Sequence, residues 1–232
     1  MHHTLEKGVL EIVFDDLKTG NAFDLKKAQA LGKLLSAKNI SLILLRARGR
    51  IFCSGGNLKD YAGLKTKAQG VAVNRQIRAV LDKLSKHPAL KIAAVTGDCF
   101  GGGIELLSCC DLIYAEPHVF FGMWQRRMAL SFGWGGFERL STRMNPSAAE
   151  EWLLTGDVRG VFQARDLGLV DRVMNSARLA AKLSSLKQQC QNDSDGSFAA
   201  IANGLKKNEA KVFESLWGKP AHTAHLRRFA RV

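Results

Sequence analysis

Apolar residues recur with two different spacings along the first two thirds of the chain, and the alternation between them predicts the element order. Gly8–Phe14 reads Gly-Val-Leu-Glu-Ile-Val-Phe, a weak alternation suited to a strand. Asp24–Ala37 places Leu25, Ala28, Leu31 and Leu35 at helical spacing after a turn over Asp15–Gly20. Ser41–Arg46 and Lys91–Thr96 are short continuous apolar runs, the pattern of strands covered on both faces. Between them, Ala72–Lys86 carries Val73, Ile77, Val80, Leu81 and Leu84 on one helical face and stops at His87-Pro88. Asp111–Ala115 and His118–Phe121 read as further strands, and Ile104–Cys110 as a short apolar helix. From Pro146 the strand signals fade. Helices are expected over Ser147–Leu154, Gln163–Leu167, Ala177–Gln191 and Phe198–Trp217, the last two separated by the polar run Gln191–Gly196. Strand alternating with helix gives an α/β fold class, followed by a mostly helical C-terminal region.

Two loops interrupt this pattern, each after a buried strand. Arg48–Asn57 contains Gly49, Gly55 and Gly56, and Gly97–Gly103 contains Gly101-Gly102-Gly103 directly before a helix. Glycine admits close approach to the main chain, and the first N–H groups of a helix have no intrahelical acceptor. Such a loop can cradle a phosphate, stabilise an oxyanion, or simply make a tight turn. Neither loop carries the GxxxxGK[ST] spacing of a P-loop or the GxGxxG spacing of a dinucleotide site.

Composition narrows the picture further. The chain has 232 residues, 46% hydrophobic and 24% charged, which fits one large domain, or one with a small appendage. No apolar run approaches the ~20 residues of a membrane helix, so no membrane partner is expected. Met1–Thr4 lacks the basic and apolar regions of a signal peptide, which makes the expected location cytoplasmic. Five cysteines, two of them adjacent, form neither a disulfide framework nor a zinc-like spacing, so no metal is expected. The net charge of +13 favours an anionic partner. Its basic residues are scattered without aromatic interleaving, so nucleic acid is not expected, whereas a ligand with several phosphates would benefit.

The motifs, taken in order, resemble the crotonase family, also called the enoyl-CoA hydratase/isomerase superfamily. Asn21-Ala-Phe-Asp-Leu is similar to the family's N-A-[LF]-x pattern. Phe52-Cys-Ser-Gly-Gly-Asn57-Leu-Lys is similar to its F-x-[AS]-G-x-[DN]-[LI]-[KR] loop. Asp98–Leu112 resembles its A-x-G-G-G-x-E-L-x-x-x-C-D block, with Gly135-Gly136, Arg139-Leu140, Leu154–Asp157, Ala164 and Gly168–Val170 following. The resemblance spans roughly residues 5–230 and is weakest after Val173. It implies a crotonase-type ββα superhelix, or spiral, over residues 1–173. Residues 174–232 would form a C-terminal helical oligomerisation or lid region serving a homotrimer or a dimer of trimers.

For the site, the resemblance implies an acyl-CoA substrate and no separate cofactor, coenzyme A being part of the substrate. Gly56 and Gly102 match the two oxyanion N–H donors, and Glu105 matches a catalytic acid/base. Asp111 matches a structural position. Cys53 and Ser54 lie in the loop whose backbone meets adenine, and Lys18 and Lys59 stand where cations often face the coenzyme phosphates.

One position departs from the pattern. The second family glutamate falls at Gln125, in Trp124-Gln125-Arg126-Arg127. An amide holds a water or a carbonyl but exchanges no proton at neutral pH. Hydration or double-bond isomerisation of an enoyl-CoA with Glu105 as acid/base is the leading expectation. Decarboxylation of a malonyl-type CoA and non-catalytic acyl-CoA binding stay open. Arg126 or Arg127 would bind a carboxylate or phosphate, or face solvent. Trp124, Phe132 and Trp134 would wall an acyl pocket or pack in the core.

Overall fold

A computed structural model describes residues 1–204 and 208–229. The chain opens with β1 (His2–Glu6), paired antiparallel to β2 (Val9–Phe14). The sequence pattern does not announce β1, because all five of its residues are exposed. The turn explains it: Lys7 and Gly8 both have positive φ (44° and 82°), the geometry of the tight turns that match strand twist.

α1 (Leu25–Leu34) follows, capped where the Asp24 carboxylate accepts from Lys27 N–H at 2.7 Å. Next come β3 (Leu42–Ala47), β4 (Ile51–Cys53), α2 (Leu58–Ala62) and α3 (Lys67–Lys86). α3 begins five residues before the expected Ala72 (72 against 67), because Thr66 and Gln69 form a reciprocal capping box. Its first turns are largely exposed and so lack an apolar stripe. β5 (Leu90–Val95), β6 (Asp98–Phe100), α4 (Gly102–Leu107), β7 (Leu112–Ala115) and β8 (Phe120–Gly122) complete the repeating part.

Consecutive strands go to different sheets. β3, β5 and β7 join the larger sheet, of order β1-β2-β3-β5-β7 and then Arg172–Val173 (β10), while β4, β6 and β8 form the smaller one and end on Val158–Gly160 (β9). Each turn of the chain therefore deposits one strand in each sheet and then, in most turns, a helix. This is the expected ββα spiral. The short strands β4 and β6 were expected as loop, since three residues are too few to show a period.

α5 (Gly136–Leu140), α6 (Pro146–Thr155), β9 (Val158–Gly160), α7 (Val161–Asp166), β10 (Arg172–Val173) and α8 (Ser176–Gln191) follow. The single helix expected over Phe198–Trp217 is instead α9 (Ser197–Gly204) and α10 (Glu209–Leu216), and residues 205–207 lie outside the described part. α11 (Pro220–Phe229) ends the described chain.

Both faces of the larger sheet's central strands are covered, which accounts for the apolar runs Leu42–Leu45 and Ile92–Val95. Within β3, Ile43 and Leu45 enter the main core with Phe14, Phe23 and Phe52. Leu42 and Leu44 point the other way, into a second cluster with Leu179 and Leu183 of α8. Asp111 supports this frame: its carboxylate accepts from Lys91 N–H at 2.9 Å and lies 3.0 Å from the buried Lys91 ammonium.

Candidate active site

The smaller sheet assembles the site. β4 and β6 run parallel, with Cys53 opposite Cys99, and β6 and β8 run parallel, with Phe100 opposite Gly122. Three loops therefore leave one edge of the sheet side by side: Ser54–Asn57, Gly101-Gly102, and the 3-10 turn Trp124–Met128. The first two touch. A Cβ added to Gly55 would lie 3.3 Å from Gly102 N.

Main-chain geometry sets the donors. Gly101 adopts φ 53°, ψ −122°, a conformation that only glycine holds without strain, and Gly102 is the first residue of α4. Neither Gly56 N–H nor Gly102 N–H donates to a backbone or side-chain acceptor among the described residues. These are the two groups that the resemblance names as oxyanion donors. Asn21 fixes the first loop from below. Its amide donates to Arg48 O (3.0 Å) and Ile51 O (2.7 Å), and its oxygen accepts from Asp16 N–H (2.7 Å).

Glu105 sits one helical turn after Gly102 and is 2% exposed. One carboxylate oxygen accepts from Trp134 N–H (2.7 Å) and Gly136 N–H (3.0 Å). The other meets Gly133 N–H and the Gln125 amide nitrogen, both at 3.4 Å. Burial pushes its pKa above the usual carboxylate value, and these four donors pull part of the way back. Gln125 thus reaches Glu105 from the third loop, while its own carbonyl oxygen is buried without a partner.

Trp134 does more than donate from its backbone. Its indole lies on Gly102, where a Cβ would fall 2.2 Å from Cζ3, and reaches Gly56, where a Cβ would fall 3.6 Å from Cζ2. The indole N–H donates to Asn74 Oδ1 at 2.8 Å, and the Tyr61 hydroxyl donates to the same oxygen at 3.1 Å. Arg139 locks this loop to α4: its guanidinium donates to Trp134 O (2.7 Å) and Ser108 Oγ (3.0 Å) and pairs with Asp82 (2.9 Å). Asn74, Tyr61 and Arg139 escape sequence reasoning as site residues. The one hint is an Asn amid the apolar stripe of α3, a residue that helix interiors disfavour.

The remaining expected residues divide. Ser54 is exposed at the rim and donates from its hydroxyl to Thr19 O at 2.9 Å, which draws the exposed Lys18 turn against the loop. Lys59 is exposed at the start of α2. The Cys53 thiol is buried, with a pKa pushed up to about 11 by desolvation, so only the main chain at this position is open to a ligand. Trp124 stacks on Phe100 (4.0 Å, 7°) and serves as packing for the second loop. Arg127 lies over the Trp124 ring at 5.2 Å, and both Arg126 and Arg127 are exposed. Phe132 packs against the main core.

A two-sheet ββα spiral with paired glycine loops at the edge of its smaller sheet defines a crotonase-type fold. Solved structures agree. An enoyl-CoA hydratase from Bacillus anthracis superposes with a TM-score of 0.82 at 24% identity, covering 97% of this chain and 93% of its own. A Thermobifida fusca YX structure in complex with CoA superposes with a TM-score of 0.79 at 21% identity, covering 100% and 94%. The family model described as enoyl-CoA hydratase/isomerase matches residues 4–215, and the chain belongs to that family. Among curated relatives, the mouse enoyl-CoA hydratase domain-containing protein 2, mitochondrial, is 31% identical over 156 residues, 67% of this chain and 52% of the relative. The chain spans about half the length of the curated relatives that it matches first.

Proposed function

We propose that the chain is an enzyme that binds an acyl-coenzyme A thioester and stabilises its enolate between Gly56 N–H and Gly102 N–H. The observation carrying this reading is the pair of unengaged amides on adjoining loops, with a buried carboxyl one turn beyond. Two N–H groups aimed at a thioester oxygen gain strength as that oxygen becomes an enolate, which lowers the barrier rather than merely tightening binding. One such donor is worth about 3 kcal/mol. Support also comes from relatives named as acting on enoyl- or methylglutaconyl-CoA and from a structural neighbour solved with CoA.

The reaction is hydration or double-bond isomerisation of an enoyl-CoA, with Glu105 carrying the proton. In isomerisation its carboxylate takes a proton from one carbon of the acyl chain and returns it to another. In hydration Gln125 holds the water through its unpartnered carbonyl, Glu105 takes one of its protons as the oxygen bonds to the β-carbon and the double bond's electron pair enters the enolate, and Glu105 then returns that proton to the α-carbon. Exposed Lys18, Lys59 and the Ser54 loop form the rim that meets the nucleotide end. Crotonyl-CoA incubated with the purified chain should lose its conjugated thioester absorbance. No turnover above buffer across chain lengths would sink hydration.

A second reading has its own observation. Glu105 is saturated by backbone donors, which suits a carboxyl that orients the loop more than one that shuttles protons. Decarboxylation of a malonyl-type CoA needs no base: the bond to the carboxylate breaks, its electron pair enters the enolate, and a proton later reaches carbon. Mass spectrometry of methylmalonyl-CoA after incubation distinguishes the two. Binding of thioesters with turnover of none would leave acyl-CoA binding alone.

A further inference from the structure

We infer that the Trp134 indole, latched by Asn74 and Tyr61, is the wall that limits the acyl chain, so that this site takes short acyl groups. The inference rests on the acyl-CoA reading above and deepens it.

The geometry supplies the wall. The indole six-membered ring rests on Gly102 so closely that no side chain fits there, and its Cζ2 edge extends to Gly56. It therefore packs across the Cβ side of both glycines, beside their amides. Tyr61 continues the same wall, since a Cβ on Gly56 would lie 2.7 Å from its Cε2. Behind the indole stands Phe23, edge-on at 5.9 Å. Trp134 is 3% exposed and belongs to the main core, so its ring is packed in and leaves no open channel on this side.

The latch keeps the wall in one place. Asn74 Oδ1 accepts from both the indole N–H and the Tyr61 hydroxyl, while its amide nitrogen donates to Gly70 O at 2.9 Å, fixing which end faces the ring. The Trp134 main chain is held separately, by Glu105 and Arg139. A Trp134 substitution thus opens space beside the thioester while leaving the backbone donor to Glu105 in place.

The test is equilibrium binding, which needs no turnover. Butyryl-CoA and octanoyl-CoA are titrated into the full chain, its Trp134→Ala variant and its Asn74→Ala variant, with coenzyme A as the reference ligand. The wild-type chain should bind octanoyl-CoA no more tightly than butyryl-CoA. In Trp134→Ala the octanoyl-to-butyryl affinity ratio should rise about tenfold or more, because each newly buried methylene contributes about fourfold. Asn74→Ala, which keeps the ring but removes its anchor, should move the ratio the same way by less. If Trp134→Ala does not fold, the Asn74→Ala ratio decides. A ratio unchanged in the folded variants, or a wild type that already prefers octanoyl-CoA, overturns the inference alone. Failure of every thioester and of coenzyme A to bind overturns the acyl-CoA reading beneath it.

Discussion

Replacing Glu105 by Gln separates the two roles open to this carboxyl, orienting a loop and carrying a proton. The side chains are close in size, so packing is preserved. The new amide's carbonyl, in place of the oxygen bonded at 2.7 and 3.0 Å, keeps both short bonds, to Trp134 N–H and Gly136 N–H. Its NH2 group then stands where Gln125 and Gly133 N–H now donate; a half-turn of the Gln125 amide brings that residue's unpartnered oxygen round to accept, while Gly133 N–H gives up its long 3.4 Å acceptor. The loss is the charge-assisted part of two hydrogen bonds, about 1 kcal/mol each. Against it stands relief from burying an ion, since desolvation is the largest influence on this group. Stability should therefore change by less than about 2 kcal/mol at any pH, or roughly 4–8 °C in Tm for a chain of this size.

The sign of the pH dependence follows from linkage. Glu105 has a folded pKa above its unfolded value of 4.5. Its contribution to stability is present below 4.5 and is lost as pH rises through the folded value. The variant has no such titration, so it should gain on the wild type as pH rises. Urea melts of both proteins between pH 4 and 8 measure this. Turnover, in contrast, should drop by about 10²–10⁴ if Glu105 moves the proton. A stability difference that is flat in pH, or that favours the wild type as pH rises, would show that the backbone donors outweigh desolvation. Full activity in a folded variant would falsify the proton-carrying role and leave decarboxylation or binding.

Three further substitutions probe the frame around the site. Gly136→Ala should cost about 1–3 kcal/mol in urea melts and also reduce turnover. Its new Cβ would lie 2.5 Å from Glu105 Cγ, and unchanged activity would mean that Glu105 tolerates displacement. Asn21→Ala removes three hydrogen bonds and puts an alanine at φ 57°, so a loss of about 3–5 kcal/mol is expected from the sum. A change below about 1 kcal/mol by urea denaturation would refute its role as the floor of the first loop. Asp111→Ala removes the counter-charge of the Lys91 ammonium, which keeps its bonds to the His87 and Ala89 carbonyls, and should cost about 3–5 kcal/mol, with part of it recovered when Lys91→Met is added. A double variant no better than the single one would count against that pairing.

Much of this architecture is written in local pattern. The runs Leu42–Leu45 of β3 and Ile92–Val95 of β5 are apolar at every position because α8 covers the face that would otherwise meet water. The N-A-F motif is legible as a motif, but its reason is tertiary: Asn21 bonds Arg48 and Ile51, roughly thirty residues on, at a left-handed backbone position. Gly56 and Gly102 could be singled out from sequence because a backbone donor needs only a loop in the right order. Trp134 could be seen only as an aromatic near the site. Its partner Asn74 lies sixty residues upstream, and no spacing rule connects them.

Under the proposed reading, Gln125 could be exchanged for an acid without disturbing the enolate hole. The two N–H donors are set by the parallel pairing of β4 with β6 and by Gly101, none of which depends on residue 125. Glu105 is likewise anchored by the amides of residues 133–136, with Gln125 adding only a 3.4 Å contact. Position 125 arrives from a third, independent strand, β8. A carboxylate placed there, 3.4 Å from Glu105, would force the two acids to share a proton and drive one pKa up further. Gln125→Glu therefore tests whether the reaction is limited by the missing acid. If the chain hydrates enoyl-CoA slowly for want of that proton, the variant should speed hydration and give it a bell-shaped pH profile, while isomerisation through Glu105 alone should gain nothing. Hydration that stays unchanged or falls would mean that the amide at 125 is suited to a different reaction of the same enolate.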